Sequence, residues 1–302
     1  MEPDHERSII LRPDDQIENA VSGKSRIVAA MVSETLMLAK NSTLTKIGEG
    51  TQTQYDCGLC YYHGRGVSQD YVEAVKWFGK AAEQGHALAQ YTLGCCYQNG
   101  QGVPQDFENA VNWYRKAAEQ GNASGQSNLG ACYAIGLGVP QDHVKAIEWY
   151  RKAAEQGDSM GQNNLGFKYQ KGIGVPRDYE EAVRWYRKAA EQENAQGQNN
   201  LGLCYHGGQG VPQDYETAVR WYRRAAVQGY ALARHNLGLC YHYGRGVPID
   251  MLQAYKWYQL AADQGHKKAK EEATALASLM SPSELEAANR LHREFQDEHS
   301  AP

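Results

Sequence analysis

GIGVPRDYEEAVRWYRKAAEQ, residues 172–192, decides how this chain is read, because the same pattern occurs six times at one fixed step. The tryptophans Trp77, Trp113, Trp149, Trp185, Trp221 and Trp257 lie 36 residues apart, as from 77 to 113. The glycines Gly66, Gly102, Gly138, Gly174, Gly210 and Gly246 keep that step, and so do Asp70, Asp106, Asp142, Asp178, Asp214 and Asp250. A period of this size marks stacked supersecondary units, none of which can bury its apolar face alone. The 302 residues would otherwise suggest two globular domains. Stacked repeats share one continuous core instead, so the chain is predicted to be an all-α solenoid. The 31 glycines fall in register and read as turn and close-packing positions, not as a flexible linker.

The repeats run 51–86, 87–122, 123–158, 159–194, 195–230 and 231–266, and each splits into two helices, A and B. In the second repeat helix A covers about 87–98 and stops at Gly100, a residue suited to the left-handed conformation at a helix C-terminus. Pro104 prevents the helix from continuing. Asp106 stands where an N-cap belongs and opens helix B, about 107–119. Phe107, Ala110, Val111, Tyr114, Ala117 and Ala118 recur at helical spacing on one side of it. Glu73 and Glu181 fall three residues after Asp70 and Asp178, which predicts a capping box in the first and fourth repeats. The fourth repeat places Glu193 where the others have glycine. A left-handed Glu there costs on the order of 1 kcal/mol, so this junction is expected to bend or loosen.

Outside the repeats, residues 1–13 carry no ordered pattern. From 14 to 40, Ile17, Ala20, Val21, Val28, Met31, Thr35 and Leu38 recur at helical spacing, with Gly23 splitting the stretch and Asn41 stopping it. Residues 1–50 thus read as a partly disordered segment with a helical cap over the end of the stack, and 41–50 as its linker; a docking segment for another protein is the alternative. Residues 267–302 read as a half-repeat and a capping helix, with Ser281, Pro282 and Glu284 as N-cap, first-turn proline and third-position acid. The net charge of −4 and the alternating charges describe a solvated surface, with no basic footprint for nucleic acid or membrane. The run IVAAMVSETLMLA at 27–39 is too short to span a bilayer and holds Glu34. A cytoplasmic monomer is expected.

Ala89, Leu93, Gly94, Tyr97, Gly100, Gly102, Val103, Pro104, Asp106, Ala110, Trp113, Tyr114, Ala117, Ala118 and Gly121 together spell a pattern that resembles the Sel1-like repeat, and all six repeats match it over 51–266. The resemblance implies a right-handed α/α superhelical solenoid related to tetratricopeptide repeats, with helix A of each repeat lining the concave side. It also implies an adaptor or scaffold for other proteins. Cys57 in the leucine column and Ser68 in the proline column depart from the pattern, so looser packing is expected in the first repeat.

Comparing the repeats separates framework from candidate contact positions. Projected at 100° per residue, Ala89, Leu93, Cys96 and Tyr97 share one arc of helix A and hardly vary between repeats. The opposite arc varies. Its column 91 reads Tyr55, Tyr91, Ser127, Asn163, Asn199, His235; column 95 reads Leu59, Cys95, Ala131, Phe167, Leu203, Leu239; column 98 reads Tyr62, Gln98, Ala134, Gln170, His206, His242. Amides that can bond a peptide backbone, beside aromatic and apolar anchors, suit an extended peptide or protein partner. The candidate contact residues are Tyr55, Tyr62, Tyr91, Gln98, Asn163, Phe167, Gln170, Asn199, His206, His235 and His242; packing between neighbouring helices is the competing reading. The asparagines Asn128, Asn164, Asn200 and Asn236 are nearly constant and read as structural.

Cys57 and Cys60 match CxxC, yet Cys60, Cys96, Cys132, Cys204 and Cys240 share one core column, filled by Lys168 in the fourth repeat. Small buried apolar groups explain them better than redox or zinc chemistry. Ser22-Gly23-Lys24-Ser25 fails as a phosphate loop because Glu18 stands where its first glycine belongs. No cofactor, metal or catalytic residue is assigned. The expectation is a non-catalytic scaffold; the alternative is a β-lactam-acting hydrolase, a role linked to cysteine-rich members of the resembled family.

Overall fold

The computed structural model describes residues 50–299; the helical stretch read at 14–40 lies outside the described residues. These hold fourteen α-helices and no strand: α1 (Thr51–His63), α2 (Tyr71–Glu83), α3 (Ala87–Asn99), α4 (Phe107–Glu119), α5 (Ala123–Ile135), α6 (His143–Glu155), α7 (Ser159–Lys171), α8 (Tyr179–Glu191), α9 (Ala195–Gly207), α10 (Tyr215–Val227), α11 (Ala231–Tyr243), α12 (Met251–Ala262), α13 (Lys267–Ala277) and α14 (Pro282–His299). The first twelve are the six helix pairs of an all-α solenoid with a 36-residue period. The chain divides into two compact units within α7, one ending at Asn164 and the other beginning at Leu165.

The second repeat, in the first unit, shows how the sequence builds a pair. Gly100 ends α3 at φ 69°, in the left-handed region. The turn is then closed by Gln101 N–H donating to the Cys96 carbonyl at 3.0 Å and Asp106 N–H to the Tyr97 carbonyl at 2.9 Å. Gln105 Nε2 donates to the Gln98 carbonyl at 2.8 Å, satisfying another free end of α3. Asp106 then caps α4, its Oδ1 accepting from Asn109 N–H at 2.9 Å. The same aspartate cap opens helix B in all six repeats.

The capping box expected at Asp70 and Asp178 does not close. Their backbone N–H groups already donate to the Tyr61 and Tyr169 carbonyls, both at 2.9 Å. Glu73 and Glu181 turn instead to Lys76 and Arg184, three residues on, at 2.9 and 3.0 Å. A complete box does open α14, where Ser281 N–H donates to Glu284 Oε2 at 2.8 Å and Glu284 N–H to Ser281 Oγ at 3.3 Å.

Two glycine columns set the spacing of the helices. A Cβ on Gly94 would lie 2.7 Å from the ring of Tyr114, so the ring rests directly against the α3 backbone. Gly130 with Tyr150, Gly202 with Tyr222 and Gly238 with Tyr258 repeat the contact, and Gly58 meets Phe78 in the first repeat. The second column works between repeats: the loop glycine Gly102, at φ 73°, sits against the backbone carbonyl of Tyr71 one repeat earlier. A buried glutamine adds a clip. Gln126 donates through Nε2 to the Ala118 carbonyl of the preceding helix B at 3.1 Å, and its Oε1 accepts from Gln156 at 2.7 Å. Gln90 makes the same two bonds, to Ala82 and from Gln120.

Helix B follows the projected pattern: Ala110, Val111, Tyr114, Ala117 and Ala118 are buried while Glu108, Asn112, Lys116 and Glu119 face water. Helix A does not follow a one-sided pattern. In α3 both Ala89 and Leu93, on the constant arc, and Tyr91 and Cys95, on the opposite one, are buried. The first repeat is not looser in its bonding, since Arg65 and Asp70 N–H close the same turn on Cys60 and Tyr61 at 2.9 Å each. The junction at Glu193 keeps its geometry too. Glu193 is left-handed at φ 59°, and Asn194 N–H still reaches the Ala189 carbonyl at 3.1 Å, as Asn122 reaches Ala117 at 3.0 Å. In the second unit α14 packs on α12, with Ala288 buried and the Phe295 ring 5.0 Å from that of Trp257.

Gly94→Ala should lower the unfolding free energy by about 2 kcal/mol, because a close-packed ring cannot retreat. Gly85→Ala, where φ is +88° and nothing lies within 4 Å, should cost only about 1 kcal/mol of backbone strain. Urea unfolding followed by helical circular dichroism separates them; equal costs would rule out the ring contact as the limiting constraint. By the same measurement Glu193→Gly should gain about 0.5 kcal/mol, the relief of strain less an exposed ion pair with Arg224.

Candidate interaction surface

The eleven candidate contact residues fall on helix A in every repeat except the third, and the structure separates them by exposure. Tyr55, Tyr62, Tyr91, Gln98, Asn163, Phe167, Asn199 and His235 are buried, whereas Gln170, His206 and His242 are partly exposed. The buried ones do not present an open stripe. The physical reason is that helix A packs on its own helix B and on the preceding one, so a side chain on either arc finds a neighbour.

Column 98 has a definite packing task. Helix B buries a tyrosine whose hydroxyl must find an acceptor. Gln98 Oε1 accepts from Tyr114 Oη at 2.9 Å, Gln170 Oε1 from Tyr186 at 2.8 Å, and His242 Nδ1 lies 3.2 Å from Tyr258 Oη. Burial pushes the Tyr114 and Tyr186 hydroxyls well above the ordinary tyrosine range, so they stay protonated and donate. Column 91 is tied sideways: Tyr55 Oη lies 3.4 Å from Thr92 Oγ1 in the next helix A, and Asn199 Oδ1 accepts from Asn236 at 2.9 Å. His235 Nε2 lies 2.7 Å from Glu272, and its ring stacks on His266 at 4.6 Å.

The asparagine column is buried as a structural role requires, at Asn128, Asn164 and Asn200, and Asn164 accepts from Asn163 at 3.4 Å. Asn128 Nδ2 is a buried donor without a partner among the described residues. All seven cysteines are free and buried, with burial pushing Cys57 to about 11 and Cys95 to about 12. Such thiols are poor nucleophiles. No group of three His, Cys, Asp or Glu among the described residues is placed to hold a metal. No helix among them is long and apolar enough to cross a membrane.

An open surface does exist in the second unit, on α9, α11 and the loop after α11. Leu203 is 40% exposed and Tyr243 57%. His206 accepts at Nε2 from Arg245 Nη1, 3.2 Å away; the Arg245 guanidinium lies 5.4 Å from the Tyr243 ring, which stacks on His242 at 4.5 Å. Burial first, then Arg245, holds the His206 pKa below the usual value, which keeps the ring neutral and suited to accept. Three members of this cluster, Leu203, Tyr243 and Arg245, are not among the eleven candidate contact residues, although Leu203 lies in the variable column 95. Tyr243 could have been, since its column otherwise reads His63, Asn99, Ile135, Lys171 and Gly207 and changes more than any core column.

Comparison with known proteins agrees with this architecture. The Sel1 repeat family model matches residues 51–86, 87–122, 123–158, 159–194, 195–230 and 231–266. Among solved structures, a Sel1 repeat protein from Oxalobacter formigenes is 33% identical over 77% of this chain and 96% of that one, with a TM-score of 0.69. Protein c5321, a protective antigen present in uropathogenic Escherichia coli strains displaying an SLR fold, is 30% identical over 83% of this chain and 69% of that one, with a TM-score of 0.40. A search of curated proteins returns no match. With six consecutive matches covering most of its length, the chain belongs to the Sel1 repeat family.

Proposed function

We propose that this chain is a non-catalytic scaffold that binds a peptide or protein along the face lined by the first helices of its repeats. The observation that carries the reading is the open cluster of Leu203, His206, His242, Tyr243 and Arg245. It combines exposed apolar and aromatic groups with a neutral imidazole and a guanidinium, the composition that interface anchors favour. The eight buried candidates support it as framework: they fix the helices that carry the exposed side chains. Gln170, His206 and His242 remain the contact residues of the original set. Seven free thiols suit a reducing compartment, which supports a cytoplasmic location.

Binding is tested by isolating partners on immobilised chain and titrating the recovered partner against variants. Tyr243→Asp with Leu203→Asp should weaken binding by about 2 kcal/mol, some thirtyfold, with an unchanged helical spectrum. Undiminished binding would place the contact elsewhere; its loss on removal of residues 1–50 alone would favour the amino-terminal segment. Saturable hydrolysis of nitrocefin by pure protein would instead support the β-lactam-acting alternative and overturn the scaffold reading.

A further inference from the structure

Charge in the second unit is sorted by helix. From Leu165 to the end of α7, in α9 and α11, and in the turns that follow them as far as Pro176, Pro212 and Pro248, there is no aspartate or glutamate. The same segments hold Lys168, Lys171, Arg234 and Arg245. The second helices carry both signs and pair them, as Arg184 with Glu181 at 3.0 Å and Arg224 of α10 with Glu193 at 3.2 Å. Arg245 is exposed and has no ion-pair partner among the described residues; its guanidinium donates to the neutral His206. α13 does carry Glu271 and Glu272, and Glu272 is engaged by His235 at 2.7 Å.

That last contact shows that α13 takes the next first-helix place in the stack. His235 meets Glu272 as Asn199 meets Asn236, each partner lying 37 residues on. Leu279 stands one 36-residue step after Tyr243, just past the end of α13, and is 82% exposed. Exposed apolar groups thus continue from Leu203 through Tyr243 to Leu279. Packed helices lie about 10 Å apart, and an extended peptide advances about 3.3 Å per residue. Anchors about three residues apart therefore match neighbouring first helices. Arg245 follows two residues after Tyr243, and the exposed Lys171 occupies the column of Tyr243 two repeats earlier. Cations this sparse, on a chain of net charge −4, suit separated carboxylates better than a continuous phosphate backbone.

We infer that the segment bound by this face is an extended acidic peptide, whose apolar side chains seat on Leu203, Tyr243 and Leu279 and whose carboxylates meet Arg245 and Lys171. The inference rests on the scaffold reading above and deepens it by giving the partner a chemistry. The bond to His206 holds the Arg245 guanidinium, so less side-chain freedom is lost when a carboxylate pairs with it. No acid on α9 or α11 competes for that guanidinium. The apolar seats supply most of the affinity, and the cations select which apolar peptide is accepted.

The test titrates fluorescein-labelled peptide libraries of about nine residues against the full chain by fluorescence polarisation. Each library fixes leucine or tyrosine at every third position and fills the rest with Glu and Asp, with Gln and Asn, or with Lys and Arg. The acidic library should bind about tenfold or more tighter than the amide library at low salt, and the gap should close in about 0.5 M sodium chloride. Arg245→Glu, with an unchanged helical spectrum, should weaken the acidic library about tenfold and leave the amide library within about twofold. Arg245→Gln should do the same in smaller measure, whereas Tyr243→Ala should weaken both libraries. Equal binding of the acidic and amide libraries, both lost in Tyr243→Ala, overturns the acidic assignment and leaves the scaffold reading standing. Binding that ignores Tyr243→Ala overturns the proposed face as well. A preference for the basic library, no binding of the acidic one at about millimolar concentration, or equal capture of oligothymidylate each overturns the inference. So does a dimer in light scattering that Tyr243→Ala separates, because a second copy would then occupy this face.

Discussion

The structure depends on a ring lying on a bare helix. In each repeat helix A places a glycine opposite the tyrosine, or in the first repeat the phenylalanine, of helix B, and a Cβ there would meet the ring at or below about 3 Å. Removing the Cβ lets the two helices of a pair approach until the ring is fully covered, which buries a large apolar area at the cost of a buried hydroxyl. That hydroxyl then dictates a second column, because Gln98, Gln170 and His242 stand where an acceptor is needed. In the second, fourth and sixth repeats a glycine, an aromatic ring and a polar acceptor are thus one unit, spread over two helices.

The loop glycines extend the same logic from pair to stack. Gly102, Gly138, Gly210 and Gly246 each sit against the first residue of the preceding repeat's helix B, where any side chain would strike backbone. The buried glutamines bridge the same neighbours through one donor and one acceptor. Backbone contact and an amide clip fix translation between repeats, while alanines keep the interface thin. This explains why Glu193 is tolerated: the backbone turn bonds do not involve its side chain, and its carboxylate joins the clip by accepting from Gln198 at 2.8 Å.

The repeat boundaries, the helix limits and the aspartate caps were legible because each depends on local chemistry that recurs at one step. The missed capping boxes show where local reading stops: Glu73 is three residues from Asp70, but the donor it would serve is already taken by Tyr61 from the other helix. The candidate contact residues were harder for the same reason. An angular projection assumes that a helix has one buried side, and a first helix packed on two neighbours has more. Column 98 also holds Tyr62 and Ala134, but its change from Gln98 and Gln170 to His242 is what a position that accepts one hydrogen bond will tolerate. The buried glutamine column was visible as Gln90, Gln126, Gln162 and Gln198, yet amides in register suggested nothing until their partners were known.

Variation between repeats therefore has to be weighed by exposure before it is taken as a sign of recognition. Tyr91, Ser127 and the asparagines Asn163 and Asn199 differ in chemistry and are all buried, so their variation does not lie on an open surface. Leu203, Tyr243 and Arg245 face water, and Tyr243 also differs from every other residue of its column. A large aromatic group held on the surface by a stacked histidine and an arginine carries a hydration penalty that the fold does not offset internally. Under the proposed scaffold reading, a bound partner would relieve that penalty at Leu203 and Tyr243.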